Sequence, residues 1–173
     1  LNTDYIDLYQ QHFPDDETQI EETLSTLDDL VHQGKIRYLG CSNFSGWQIS
    51  DADWTARDRS FNRFVTAQNL YSLLDRGVEK EVIPACQRYG LGILPYFPLA
   101  SGLLTGKYIR GKEPPQGTRL ASWGDRAKSA LSDHNFDVLE KLSSFAEENG
   151  HSLLELAMSW LASQRQISSV IAG

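Results

Sequence analysis

Cysteine is scarce in this chain. Cys41 and Cys86 are its two, far apart and without CxxC spacing. They read as reduced thiols of a cytoplasmic protein rather than as a disulfide framework. Basic residues are also in the minority, 16 Lys and Arg against 23 Asp and Glu, for a net charge of -7. That balance argues against a nucleic-acid partner or an anionic membrane surface, since both need a basic face. No apolar run reaches the roughly 20 residues of a membrane-spanning helix, and no secretory leader is read at the start. The glycine fingerprint GxGxxG is missing after the first strand. Segments that could pair through tight hairpins are missing too.

What is present is alternation. Residues 5–12 (YIDLYQQH) form a short apolar, β-prone run that ends in His12 and is broken by Phe13 and Pro14. Thr18 and Glu21 have capping-box spacing, and Ile20, Leu24, Leu27, Leu30 and Val31 follow at helical intervals up to Gly34. Further strands are expected over residues 36–42, 63–68, 91–96 and 167–172. Helices are expected from Ser45 and Gln48 to about Arg57, over residues 77–89 and 135–148, and from a Ser152–Glu155 capping box through Leu161. In helix 135–148, Phe136, Leu139, Leu142 and Phe145 are assigned to one face. Residues 98–134, with Gly102, Gly106, Gly111, Gly117 and the pair Pro114–Pro115, read as a long functional or mobile connection.

Strand and helix in turn imply parallel strands joined by right-handed crossovers. Two architectures satisfy this, a doubly wound open sheet or part of a (β/α)8 barrel. The first usually carries a glycine-rich turn after its first strand, so the barrel is favoured. A complete barrel takes about 250 residues. We therefore expect an α/β, incomplete (β/α)8 barrel, with residues 1–173 forming one partial domain of about the last five β/α units. The chain is already entering a strand by Tyr5 and stops at Gly173 directly after a strand-like run, which reads as a piece of a longer protein.

The chemistry of such folds lies at the C-terminal ends of strands. His12 holds that position and can donate to a carbonyl oxygen when neutral. A solvent-facing loop histidine is the plainer alternative. Ser42 and Asn43 close the second strand, where ordinary turn chemistry competes with amide recognition. Gln68 closes the third, beside them on a neighbouring strand, and such a group of amides suits another amide. Tyr96 closes the fourth, as a packing aromatic or as a platform for a flat ring. Ser101 and Gly102 follow in a loop whose backbone could approach phosphate. His32, His134 and His151 have no metal-site spacing. Cys41 reads as a small buried residue. Trp47, Trp54 and Trp160 read as packing residues, with Trp123 left in the long connection.

The whole chain resembles the aldo-keto reductases, in the branch that holds potassium-channel β-subunits and bacterial general reductases. The resemblance rests on residues 5–12 (YIDLYQQH), 34–44 (GKIRYLGCSNF), 67–69 (AQN), 95–107 (PYFPLASGLLTGK) and 169–173 (SVIAG). It implies an NADPH-dependent enzyme that reduces small aldehydes and ketones by hydride transfer. In that reading His12 orients and polarises the carbonyl, and Ser42, Asn43 and Gln68 hold the nicotinamide carboxamide. Tyr96 stacks on the ring, and Phe97, Leu99, Ser101, Gly102 and Leu104 line the cofactor toward its ribose and pyrophosphate. The alternative within the same resemblance is a non-catalytic NADP-binding subunit of a channel, or an inactive truncated product.

The resemblance also implies what lies elsewhere. The family's tyrosine proton donor, with its lysine and aspartate, belongs to elements before the histidine strand. The adenosine-phosphate site follows the last strand. Residues 1–173 alone are therefore expected not to reduce carbonyls, and to be weakly stable or to self-associate through open sheet edges.

Overall fold

The computed structural model describes residues 2–172. Strand β1 (Ile6–Gln11), helix α1 (Ile20–His32), strand β2 (Ile36–Ser42), helix α2 (Gly46–Arg59), strand β3 (Phe64–Gln68), helix α3 (Val82–Tyr89) and strand β4 (Gly92–Ile93) follow one another. The sheet is wholly parallel, in the order β1-β2-β3-β4. Each crossover therefore adds the next strand on the same side. A doubly wound sheet reverses direction at a switch point; a barrel does not. The chain folds into two compact units.

The first unit comprises residues 1–70, 77–94 and 166–169. One face of its sheet is covered by helices. Leu39, Cys41, Phe64, Ala67 and Ile93 are buried there, with Leu24, Leu27, Ile49, Ala52, Ala56, Val82 and Cys86 from the helices. The register pairs Gln10 with Gly40 and Gly40 with Thr66, two residues short of Ser42 paired with Gln68 and so on the same face. That second face is polar, and Tyr38 upon it is 59% exposed.

Several elements depart from the sequence reading. Helix α1 has Gln19 as its N-cap with no side-chain cap. The expected Thr18–Glu21 box does not form, because the Thr18 hydroxyl donates to Asp15 Oδ2 at 2.8 Å. The helix expected over residues 77–89 divides into a 3-10 turn (Gly77–Glu79) and α3. Pro84 lacks an N–H and is accommodated in the first turn of α3, where no such donor is needed. The fourth strand shrinks to two residues. Its ladder continues only as far as Leu94 N–H donating to the Ala67 carbonyl, and Pro95 then has no hydrogen to give. The expected fifth strand is an isolated bridge between Ile93 and Ile167.

The second unit comprises residues 71–76, 95–165 and 170–173. Residues 98–134, expected as one long connection, carry several short helices. They contain a 3-10 segment (Ala100–Thr105), α4 (Arg119–Trp123), a 3-10 turn (Gly124–Arg126) and α5 (Ala127–Ala130). Helices α6 (Asp133–Glu148) and α7 (Leu153–Ser163) follow. The core joins Leu103, Leu104, Tyr108, Leu120, Phe136, Leu139, Leu153 and Ala157. Phe145 does not share the face of Phe136, being 55% exposed. Each three-residue step falls about 60° short of a full turn, so three such steps reach the opposite side. The Ser45–Gln48 and Ser152–Glu155 capping boxes both form, as expected. Trp160 packs edge-on against Tyr71, with centroids 5.2 Å apart. Trp47 and Trp54, expected to pack, are instead largely exposed.

Candidate active site

Three of the candidate residues meet at the C-terminal ends of β2 and β3. The Ser42 hydroxyl donates to the Gln68 carbonyl at 2.9 Å, and the Asn43 N–H donates to the same oxygen at 3.0 Å. Asn43 Nδ2 donates in turn to Ser42 Oγ at 3.1 Å and to the His12 carbonyl at 2.9 Å. Ser42 and Asn43 together thus tie the strand ends of β1, β2 and β3. Asn43 does this with φ of 62°, a left-handed conformation that asparagine tolerates better than most residues. Ser42 is buried at 2% exposure; its hydroxyl donates once and accepts once here, which leaves one acceptor lone pair.

The loop after β2 is fixed from below. Phe44 stacks edge-on against Phe64 at 5.7 Å, and buried Asn69 donates to the Phe44 carbonyl at 3.1 Å. Loop position here is a packing result rather than a matter of turn residues alone.

Gln68 is half-buried. Its Oε1 accepts from Gln10 Nε2 at 2.8 Å. Its own Nε2 has no hydrogen-bond partner among the described residues. A donor is therefore left to offer. His12 lies one residue past the end of β1, exposed, with its ring 4.4 Å from that of Phe13. The structure joins the backbone of His12 to the amide cluster through Asn43.

The second unit holds the remaining candidates. Tyr96 is half-buried, with the Phe97 ring edge-on at 5.4 Å. Burial raises the Tyr96 phenol above its ordinary value of 10.0, and the Asp75 carboxylate raises it further, so the ring stays neutral through the physiological range. Leu99, Ser101 and Gly102 are partly exposed, whereas Leu104 is fully buried in the core of this unit. Phe97, Ala100 and Ser101 all have positive φ, with Gly102 after them at 93°. Three non-glycine residues in that region within so short a stretch hold backbone strain of the kind found at ligand-binding segments. The sequence offered no sign of it beyond Gly102.

Both thiols are buried, and burial pushes them up, Cys86 to about 12 and Cys41 further still. They are inert at neutral pH. No group of three metal-ligating side chains occurs among the described residues, and no helix among them is long and apolar enough to cross a membrane.

A parallel sheet wound in one direction, with polar groups gathered at the C-terminal strand ends, defines part of a (β/α)8 barrel. The aldo/keto reductase family model matches residues 1–173, and the chain belongs to that family. It is 38% identical over 173 residues to the uncharacterised oxidoreductase YrpG of Bacillus subtilis, covering all of this chain and 51% of that protein. Over 179 residues it is 38% identical to a probable voltage-gated potassium channel subunit beta of Arabidopsis thaliana, covering 53% of it. With L-glyceraldehyde 3-phosphate reductase of Escherichia coli it shares 32% over 178 residues, covering 51%. A glycerol dehydrogenase structure from Gluconobacter oxydans superposes with a TM-score of 0.79 at 30% identity, over 98% of this chain and 50% of that one. The chain spans about half the length of the curated relatives it matches.

Two residues of the amide cluster escaped the sequence reading. Gln10 and Thr66 lie one tier below the strand ends and connect to Gln68. Their signal was polarity on an inward face, two residues before His12 and before Gln68.

Proposed function

We propose that the protein containing this chain reduces small aldehydes and ketones with NADPH, and that Ser42, Asn43 and Gln68 hold the nicotinamide carboxamide. The observation that carries this is the hydrogen-bonded cluster at the ends of β2 and β3, with Gln68 Nε2 left as a donor. A carboxamide needs both donors and acceptors from its binder. The amide side chains of Asn43 and Gln68 offer both chemistries.

NADPH supplies the hydride when bound. The chain's own residues bind and orient. Tyr96 offers a neutral aromatic face for the ring. Leu99, Ser101 and Gly102, with Phe97 before them, serve the ribose and pyrophosphate, and buried Leu104 holds that segment from beneath. His12 donates to the substrate oxygen and fixes its direction. The proton that completes the alcohol comes from a residue outside this set.

The test separates the two roles in the full-length protein. His12→Ala is expected to lower kcat roughly 100-fold or more, while Kd for NADPH stays near the wild-type value. Asn43→Ala is expected to do the reverse, weakening NADPH about tenfold. Equal loss of both quantities in both variants overturns the assignment.

A second reading is favoured by the similarity to channel β-subunits, in which the bound cofactor reports redox state to a partner. NADPH binding without turnover of any simple aldehyde is the result that selects it.

A further inference from the structure

The amide of Gln68 is not free to turn. Gln10, on β1 two residues before His12, donates through Nε2 to Gln68 Oε1 at 2.8 Å, and its Oε1 accepts from the Thr66 hydroxyl at 3.3 Å. Both partners are on β3, the next strand but one. Adjacent strands lie about 4.8 Å apart, so this reach crosses roughly 10 Å. It passes over Gly40, the residue of β2 paired with both Gln10 and Thr66. A Cβ at Gly40 would stand 2.3 Å from Thr66 Oγ1 and 2.9 Å from Gln10 Cγ. Any side chain there closes the passage. Interiors of such barrels are ordinarily filled by bulky branched apolar residues, so a polar link laid over a glycine calls for a reason.

Hydrogen-bond logic supplies it. The two ends of a glutamine amide are nearly alike in shape, and their partners decide which way the group faces. The Thr66 hydroxyl donates to Gln10 Oε1, which leaves the Gln10 NH2 to donate outward. In this arrangement Gln68 accepts with its oxygen, and its NH2 is the group presented at the strand end.

We propose that Gln10 is a positioning residue for the cofactor. Through the link over Gly40 it fixes Gln68 with the NH2 toward the carboxamide oxygen. The proposal rests on the reading of the Ser42–Asn43–Gln68 cluster given above.

The test uses the full-length protein and measures Kd for NADPH and kcat at saturating cofactor. Gln10→Met removes the link at similar volume. Gln10→Glu offers only acceptors, so Gln68 turns its NH2 inward and presents oxygen. Both variants are expected to weaken NADPH about tenfold, with kcat within about twofold of wild type. Introducing Gln10→Met into Gln68→Ala should cost no further affinity, because the two residues act as one. A general structural role predicts the opposite, additive losses, and that result overturns the proposal. Should Gln10→Met fail to fold, Gln10→Glu decides alone, since it keeps the shape. Unchanged affinity in the variants, with normal binding by the wild type, overturns the positioning role and leaves the site reading intact. A wild-type protein that binds no nicotinamide dinucleotide overturns both.

Discussion

Asp28 shows how one buried group ties elements together. Its Oδ1 accepts from the Asn62 N–H at 2.7 Å and from Asn62 Nδ2 at 2.8 Å, and His32 lies 3.2 Å from Oδ2. Burial pushes its carboxyl up, but the two Asn62 bonds and His32 outweigh burial and hold it below 3.8. A carboxyl lowered by folding stabilises the fold above its unfolded value, and that contribution fades as pH falls through the folded one. Asp28→Ala is therefore expected to cost about 2 kcal/mol at neutral pH. The gap to wild type should narrow in urea melts taken progressively below pH 4. A gap that widens on acidification would contradict the assignment. At this scale the sequence was uneven. Strand-end placement pointed to His12, Ser42, Asn43 and Gln68 because a strand's end is set by local pattern. Asp28 and Gln10 were not legible, since their partners at Asn62, Thr66 and Gln68 are brought near only by strand and helix packing.

Elements with local signals were read well. The Ser45 hydroxyl accepts from the Gln48 N–H, and the Gln48 side chain accepts from the Ser45 N–H. Ser45→Ala is expected to destabilise by about 1 kcal/mol, measurable as a shift in urea midpoint without change in slope. Elements that depend on a missing donor were misread. Pro84 and Pro95 lack an N–H, and they set where α3 begins and where β4 gives out. Thr18 had capping spacing, but Asp15 took its hydroxyl. The segment 98–134 read from its glycines and prolines as one long connection, without its short helices. Its order comes in part from Arg110, which reaches Asp133, Asp137 and Glu140 on α6. Those partners lie 23 to 30 residues away in sequence, beyond any local pattern. Arg110→Ala is expected to lower the melting temperature, with a smaller drop at high salt because exposed pairs are screened. A salt-independent drop would assign Arg110 a packing role over Phe136 instead.

Over the whole molecule, strand order is the decisive feature. Alternation in the sequence left two architectures open, and β1-β2-β3-β4 without a switch point selects the barrel type. The family model spans residues 1–173, and the relatives are about twice as long. In the proposed function the polar groups at the strand ends share one purpose, recognition of an amide-bearing cofactor. The most direct measurement of that claim is aldehyde-dependent oxidation of NADPH by the full-length protein, followed through loss of the reduced nicotinamide absorbance. The account predicts saturable turnover that consumes one NADPH per alcohol formed and is largely abolished in His12→Ala. A full-length protein that neither binds NADPH nor oxidises it in the presence of any simple aldehyde would contradict it.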